Sequence, residues 1–347
     1  MLDNLVNTVV TQSGSDLHLS EGRVPVIRVA GFLIPLVNEK ALTRADIDSI
    51  LGQLLTPAAK KDFDEKKNVD FAYSHKAARF RGNAFYTLGR ISVALRLIPK
   101  QIRTLAELNL PSVLEMFAGK QQGFFLCVGP AGHGKSTTLA TLIEIINTQR
   151  LEHIVTIEDP VEYIFEPKKA IIDQREVNID TADFHTALRN VFRQDVDVVM
   201  VGEMRDAETI STAVTAAETG HLVFSTLHTN TASQTVDRII DSFPADQQGQ
   251  IRIQLAGSLA GIFSQRLIPR VSGGLIPAYE LLINNGAVAN LIRDKRTHEI
   301  SSVIETSSES GMIDLNRSLA GLVRNGDISV ENAYLYSTNP KTLEKML

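Results

Sequence analysis

From Gly123 onward the chain alternates short, unbroken apolar runs with stretches whose apolar residues recur every three or four positions. The runs at 124–128, 154–157, 196–201 and 222–225 are strand-length and almost wholly apolar, as strands buried on both faces are. Between the second and third, Phe184, Ala187, Leu188, Val191 and Phe192 share one face of a helix. This alternation predicts an α/β fold, a mostly parallel sheet covered on both sides. After Phe243-Pro244 the spacing predicts a helix with Ile251, Leu255, Leu259 and Ile262 on one face. A strand over 275–283 and several short helices then finish the chain. The first hundred residues differ. Asp16-Leu17-His18-Leu19 and 24–29 alternate as strands do, 43–55 looks helical with Thr43 as its N-cap, and 80–97 is strand-rich, broken by Gly82 and Gly89. The expected organisation is an α+β domain over 1–100, a linker over 101–122 introduced by Ile98-Pro99 and holding one short helix at 112–118, and a second domain over 123–347 with helices at its C-terminal end.

A length of 347 residues suits two domains, and 44% hydrophobic with 22% charged residues suits a soluble globular chain. The apolar runs are far too short to cross a bilayer. The start, Met1-Leu2-Asp3-Asn4, lacks the basic-then-apolar order of a secretory signal, so a cytosolic location is expected. The single cysteine, Cys127, lies in an apolar run and is expected in the core; it excludes a disulfide framework and a four-cysteine zinc site. The net charge of −5 is uneven: residues 1–100 hold 14 Lys+Arg against 10 Asp+Glu, the remainder 21 against 30. An acidic second half is a poor partner for a nucleic-acid backbone. The basic first half could dock on the acidic half of another copy, or both could simply be solvated surfaces.

Gly129-Pro130-Ala131-Gly132-His133-Gly134-Lys135-Ser136 fits the pattern G-x-x-x-x-G-K-[ST]. Its glycines let successive N–H groups turn inward as a nest for phosphate oxygens, and it follows a buried strand and opens a helix. Lys135 is placed to reach β- and γ-phosphates and the Ser136 hydroxyl to bind Mg²⁺, with Thr137 and Thr138 extending the nucleotide site into the helix, whose positive end faces the same anion. ATP with Mg²⁺ is the expected ligand. Acids crowd two strand ends. Glu158, Asp159 and Glu162 follow Ile157, and Glu203 follows Val201-Gly202. Ligands bind at that edge of such sheets. Where an aspartate often holds the metal, this chain has Gly202, so Glu203 is better suited to orient attacking water. Metal binding then falls to Ser136 with Glu158, Asp159 and Glu162, through waters; acids at a strand end also make an ordinary solvated turn. His221 and His228 bracket the run 222–227 and are open to a structural or a functional role.

Taken together, Thr156-Ile157-Glu158-Asp159-Pro160-Val161-Glu162-Tyr163, Val201-Gly202-Glu203-Met204-Arg205-Asp206 and Ala216-Ala217-Glu218-Thr219-Gly220-His221 through His228 resemble the ordered boxes of the type II/IV secretion ATPases. Within that family the chain is most similar to the type IV pilus retraction (twitching-motility) branch. Gly14-Ser15-Asp16-Leu17-His18-Leu19 is similar to the opening of its PAS-like N-terminal domain. The resemblance implies a homohexameric ring with ATP between the N-terminal domain and a RecA-like domain. It implies Glu203 as general base, the acidic box on Mg²⁺ and water, and His221 with His228 as a histidine box at the nucleotide. It implies basic residues of the N-terminal domain reaching the γ-phosphate; the matching ones here are Arg79, Arg81 and Arg96, with Arg81 and Arg96 ranked first. It also implies work at the inner face of the cytoplasmic membrane, on an inner-membrane pilus platform protein, without nucleic acid or zinc. Two positions depart: His133 stands where the family usually has a small polar residue, and in Ala287-Val288-Ala289-Asn290-Leu291-Ile292-Arg293-Asp294, which resembles the family's retraction motif, Ala289 replaces its first arginine.

Pilus assembly or type II secretion is the alternative within the family, and a RecA-like nucleic-acid motor the alternative outside it. Assembly and secretion members usually carry an additional N-terminal region and often a four-cysteine zinc element. This chain has one cysteine and opens almost at the PAS-like domain. A nucleic-acid motor needs a basic groove or stacking aromatics, against which stand the acidic second half and the absence of tryptophan.

Overall fold

The computed structural model describes residues 1–29, 31–75, 78–98 and 101–347. Pro99, expected to introduce the linker, lies outside the described residues. The chain divides into two compact units, 1–101 with 160–164, and 102–159 with 165–347.

The first unit opens with helix α1 (Leu2–Thr11), then strands β1 (Asp16–Ser20), β2 (Val26–Val29) and β3 (Phe32–Pro35). Helices α2 (Arg44–Leu54) and α3 (Pro57–Lys66) follow, then β4 (Asn68–His75), β5 (Ala78–Thr87) and β6 (Arg90–Ile98). The strands form one antiparallel six-stranded sheet in the order β3-β2-β1-β6-β5-β4. Thr43 caps α2 as expected, in a capping box: its hydroxyl accepts from Asp46 N at 3.2 Å while the Asp46 carboxylate accepts from Thr43 N at 2.8 Å. The α1 helix was not among the predicted elements, although Leu2, Leu5, Val6 and Val9 keep helical spacing and all enter the core. Gly82 does not break the strand-rich segment. β5 runs through it, and a Cβ there would stand 2.3 Å from the ring of Phe71, so glycine makes room for that ring. The break falls at Leu88-Gly89, whose φ values of 48° and 76° make the two-residue turn that returns β5 to β6.

In the second unit a 3₁₀ turn (Ser112–Leu114) and helix α4 (Glu115–Ala118) precede β7 (Gly123–Val128), α5 (Lys135–Gln149), β8 (His153–Glu158) and β9 (Ile171–Glu176). Next come α6 (Phe184–Val191), β10 (Val198–Val201), α7 (Ala207–Glu218), β11 (Leu222–Leu227), α8 (Ala232–Asp241) and α9 (Gln248–Ser258). The last strands, β12 (Leu259–Pro269) and β13 (Leu275–Ile283), lead into α10 (Gly286–Arg293), α11 (Ile300–Thr306), α12 (Leu315–Arg324), α13 (Val330–Tyr336) and α14 (Pro340–Glu344). The sheet is seven-stranded, ordered β13-β12-β7-β11-β10-β8-β9, and parallel except where β12 meets β13. Every residue of β7, β10 and β11 is buried, which explains their almost wholly apolar runs; the buried hydroxyls of Ser225 and Thr226 in β11 both find carbonyl partners. Each large apolar side chain so placed contributes roughly 1.5–3 kcal/mol of burial. Cys127 is fully buried, and burial pushes its thiol up to about 12, so it is an inert core group.

One predicted element is corrected. The helix expected to carry Ile251, Leu255, Leu259 and Ile262 stops at Ser258, and Leu259 begins β12, which pairs in parallel with β7. Leu259 and Ile262 are buried in the strand, and the same apolar spacing suits a helical face, so the sequence pattern does not distinguish the two. The strand wins through pairing on both edges, with β7 and with β13. It is also the element that touches the loop 129–136.

Candidate active site

The site grows from the C-terminal ends of the parallel strands. β7 ends at Val128, and the chain turns through Gly129, Gly132 and Gly134 at φ of 142°, 77° and 84° before α5 starts at Lys135. Gly129 is required twice over: its φ is left-handed, and a Cβ there would lie 2.3 Å from the carbonyl oxygen of Gln265. Pro130, Ala131 and His133 complete the loop. Lys135 is 7% exposed, and its Nζ donates to the carbonyls of Gly129 and Pro130, both at 2.9 Å. The ammonium is thereby held across the loop. Ser136 is exposed on the first turn of α5, Thr137 is half-buried, and Thr138 is buried. The Thr138 hydroxyl donates to Gln265 Oε1 at 2.6 Å, so its side chain braces the loop.

β10 ends at Val201, and Glu203 follows. Thr226 Oγ1 donates to Gly202 O at 2.6 Å and Ser225 Oγ to Val201 O at 2.8 Å, fixing the turn that carries the carboxylate. Glu203 is 20% exposed. Its Oε1 accepts from Arg205 Nη2, and its Oε2 lies 3.7 Å from His228 Nε2. The other ring nitrogen, His228 Nδ1, is 3.5 Å from Lys135 Nζ. His228 thus spans from the loop lysine to Glu203, across the ends of β7, β11 and β10. The hydrogen bond with Glu203, then the charges of Glu203 and Asp159, push the Arg205 guanidinium above its ordinary value.

The acidic box separates. Glu158 is buried, accepting from Thr156 Oγ1 at 2.6 Å and from Gln174 Nε2 at 3.2 Å, whereas Asp159 is exposed. Glu162 lies in the segment that belongs to the first unit, 3.8 Å from Arg81. Among the described residues no group of three or more histidine, cysteine or acidic side chains is placed to hold a metal ion. The histidine box also separates within one chain. His221 precedes β11 at its N-terminal end, where its carbonyl accepts from Gly123 N at 3.1 Å, while His228 follows the opposite end. A strand of that length puts them roughly 20 Å apart. His221 sits against the ring of Phe192 with Nδ1 3.1 Å from Ala216 O, away from the phosphate loop.

In the first unit Arg81 and Arg96 are cross-strand partners on β5 and β6. Such like charges repel unless acids intervene. Arg96 Nε donates to Asp16 Oδ1 at 2.9 Å, and Arg81 faces Glu162. Burial would raise the Asp16 carboxyl, but hydrogen bonds from Ser15 and Arg96 outweigh it and hold the group below its ordinary value. Arg79 Nη1 lies 3.4 Å from Ser74 Oγ.

Two contributors carried no sequence signal. Gln265 and Leu267 on β12 bond to the loop at His133: Gln265 Nε2 donates to His133 O, and Leu267 N donates to His133 Nδ1, both at 2.9 Å. Burial first, then the charges of Lys135 and Arg266, push the His133 imidazole below its ordinary value, as an accepting Nδ1 requires. A cavity of about 490 Å³ opens beside Gly134 and Thr137, walled by Leu267, Leu275, Pro277 and Arg103. The α10 helix carries most of the retraction-like segment. Ala289 is buried in the core, and Arg293 is exposed, bonding Asn290 Oδ1 at 2.8 Å. No helix among the described residues is long and apolar enough to cross a membrane.

The type II/IV secretion system protein family matches residues 1–305. The type IV pilus retraction ATPase PilT of Pseudomonas aeruginosa is 43% identical over 323 residues, 93% of this chain and 94% of that protein. The type IV pilus ATPase PilU of the same organism is 38% identical, covering 99% of this chain and 91% of its own. A crystal structure of the pilus retraction motor PilT with bound ADP shares 42% identity and a TM-score of 0.92 over 99% of both chains.

Proposed function

The chain belongs to the type II/IV secretion system protein family, and from that premise we propose that ATP lies on the loop 129–136, with Glu203 aligning the water that attacks its γ-phosphate. It is an ATPase, and its work is type IV pilus retraction, the basis of twitching motility. The observation that carries the site is the line Lys135–His228–Glu203, which joins the phosphate-binding lysine to the base through one imidazole.

The chemistry follows from that line. Lys135 exchanges the carbonyls of Gly129 and Pro130 for β- and γ-phosphate oxygens, supported by the loop's inward N–H groups and the start of α5. Glu203, with one oxygen held by Arg205, has its second oxygen toward His228 and accepts the proton of the attacking water. His228 positions both neighbours and reports the state of the loop to the base. The purine extends into the cavity beside Thr137. The Ser136 hydroxyl with the Asp159 and Glu158 carboxylates is an oxygen-only donor set, which fits magnesium and not zinc. Ser136, Asp159 and Glu158 would hold magnesium there, and it would supply neutralisation of phosphate charge. Arg81 and Arg96, with Arg79 behind them, neutralise the transferred phosphoryl group from the first unit of a neighbouring subunit in a homohexameric ring. The domains so combined are 1–100 and 123–347, joined by 101–122. The ring acts on an inner-membrane platform protein at the inner face of the cytoplasmic membrane, through α10 and Arg293.

Two variants test the site. Lys135→Ala loses binding of a fluorescent ATP analogue, whereas Glu203→Gln keeps binding and loses turnover by roughly 10²- to 10⁴-fold. Wild-type phosphate release by Glu203→Gln contradicts its role as base.

A further inference from the structure

A glycine-rich loop has many conformations, and only some aim its N–H groups at one anion, so something must select among them. The β12 strand is placed to do this. It pairs with β7 through Phe263↔Cys127 and Ser264↔Val128, so Gln265 comes level with Gly129, one step beyond the end of β7. Gln265 is 3% exposed, and each end of its carboxamide has one use. Oε1 accepts from the Thr138 hydroxyl at 2.6 Å, and Nε2 donates to the His133 carbonyl at 2.9 Å. The His133 carbonyl can only accept, so the amide nitrogen must face it and the oxygen faces the Thr138 hydroxyl; a carboxylate could not donate there, and an apolar side chain could do neither. One residue thus holds the middle of the loop and the first turn of α5, while its backbone packs on Gly129. Leu267, two residues on, adds the bond from its N–H to His133 Nδ1 at 2.9 Å.

We propose that Gln265 is a positioning residue that sets the nucleotide-accepting shape of the phosphate loop, with Leu267 N–H and the His133 ring as its second attachment. Gln265 acts through Thr138 and His133 and touches no reacting atom. Its loss therefore weakens binding and leaves the chemical step in place. The inference rests on the assignment of 129–136 as the phosphate loop.

The test uses the full-length protein with Gln265→Glu, Gln265→Met, Thr138→Val and the Thr138→Val/Gln265→Met pair, with Lys135→Ala as control. Dissociation constants for ADP and the KM and kcat for ATP are measured beside the thermal midpoint without nucleotide. The expected result is KM and the ADP dissociation constant raised roughly ten- to thirtyfold in both Gln265 variants, the scale of two lost hydrogen bonds. The kcat should stay within about threefold of wild type, since an interaction that only organises binding leaves the later step alone. Gln265→Glu should be at least as impaired as Gln265→Met, because its carboxylate faces the His133 carbonyl. The double variant should lose less than the product of the single losses, because the two residues share one bond. Wild-type ADP affinity in both Gln265 variants overturns the proposal. So does a fall in thermal midpoint with unchanged KM, which would make the amide merely structural. If Lys135→Ala retains nucleotide binding, the loop assignment itself fails; if it loses binding while the Gln265 variants keep it, only this inference fails.

Discussion

Glu280 offers a prediction whose size follows from the structure. It sits on β13, buried, and its Oε1 accepts from Ala232 N at 2.7 Å, the first residue of α8, which follows the His228 loop. Burial pushes its carboxyl up to about 7 from 4.5; Asp314 adds to the rise, and the Ala232 N–H and Arg266 oppose it. Because the folded value lies above the unfolded one, the folded chain binds a proton that the unfolded chain has released. The stabilisation is full below 4.5 and disappears as pH rises through about 7. A gap of this size corresponds to about 3 kcal/mol of linkage. Glu280→Gln keeps the acceptor for Ala232 N and removes the charge. The variant should therefore match wild type within about 1 kcal/mol at pH 5 and exceed it by about 1–3 kcal/mol at pH 8, roughly 2–6 °C in melting temperature for the second unit. Thermal unfolding of both proteins at the two pH values measures this. An equal offset at both values, or a variant less stable than wild type at pH 8, would refute the reasoning.

Three further outcomes are expected. If Arg81 and Arg96 complete a neighbour's site, specific ATPase activity falls on dilution below the assembly concentration, and Arg81→Ala lowers kcat at least tenfold with nucleotide affinity kept; equal specific activity across the dilution series speaks against an interfacial site. Arg293→Ala should impair pilus withdrawal more than basal hydrolysis, since Arg293 is exposed on α10 and bonds Asn290 of the same helix; equal losses in both assays would contradict the separation. The His133 imidazole lies below its ordinary 6.5 chiefly through burial, so the stability it contributes is full above 6.5 and declines as pH falls toward the lowered folded value. His133→Gln should flatten that acid limb in a melting-temperature profile, and an unchanged limb would assign the acid sensitivity elsewhere.

The loop 129–136 could be read as a candidate phosphate loop because its pattern is contiguous, three glycines, a lysine and a hydroxyl, and the structure places it between strand and helix as expected. The central parallel strands β7, β8, β10 and β11 were legible because burial on both faces leaves mostly apolar runs. The parallel edge strand β9, half exposed and carrying Asp173, Gln174 and Arg175, left no such run and was not predicted. What escaped depends on pairing between distant segments. Leu259 and Ile262 fit a helical face as well as a strand, and only the register of β12 on β7 decides between them. Gln265 is an unremarkable polar residue until that register sets it beside Gly129. His221 and His228 look like a pair in sequence, yet the strand between them carries them to opposite edges of the sheet. Glu158 and Glu162 are four residues apart, but the chain passes to the first unit between them.

The central claim is that hydrolysis in this chain withdraws pili, and it is tested most directly in the host. A strain lacking the protein is complemented with wild type or with Glu203→Gln, and surface pili and twitching movement are scored together. The account predicts that the deletion strain and the Glu203→Gln strain keep their surface pili, in normal number or in excess, and do not twitch, with wild type restoring movement. Loss of surface pili in the deletion strain would place the protein in assembly and contradict the account.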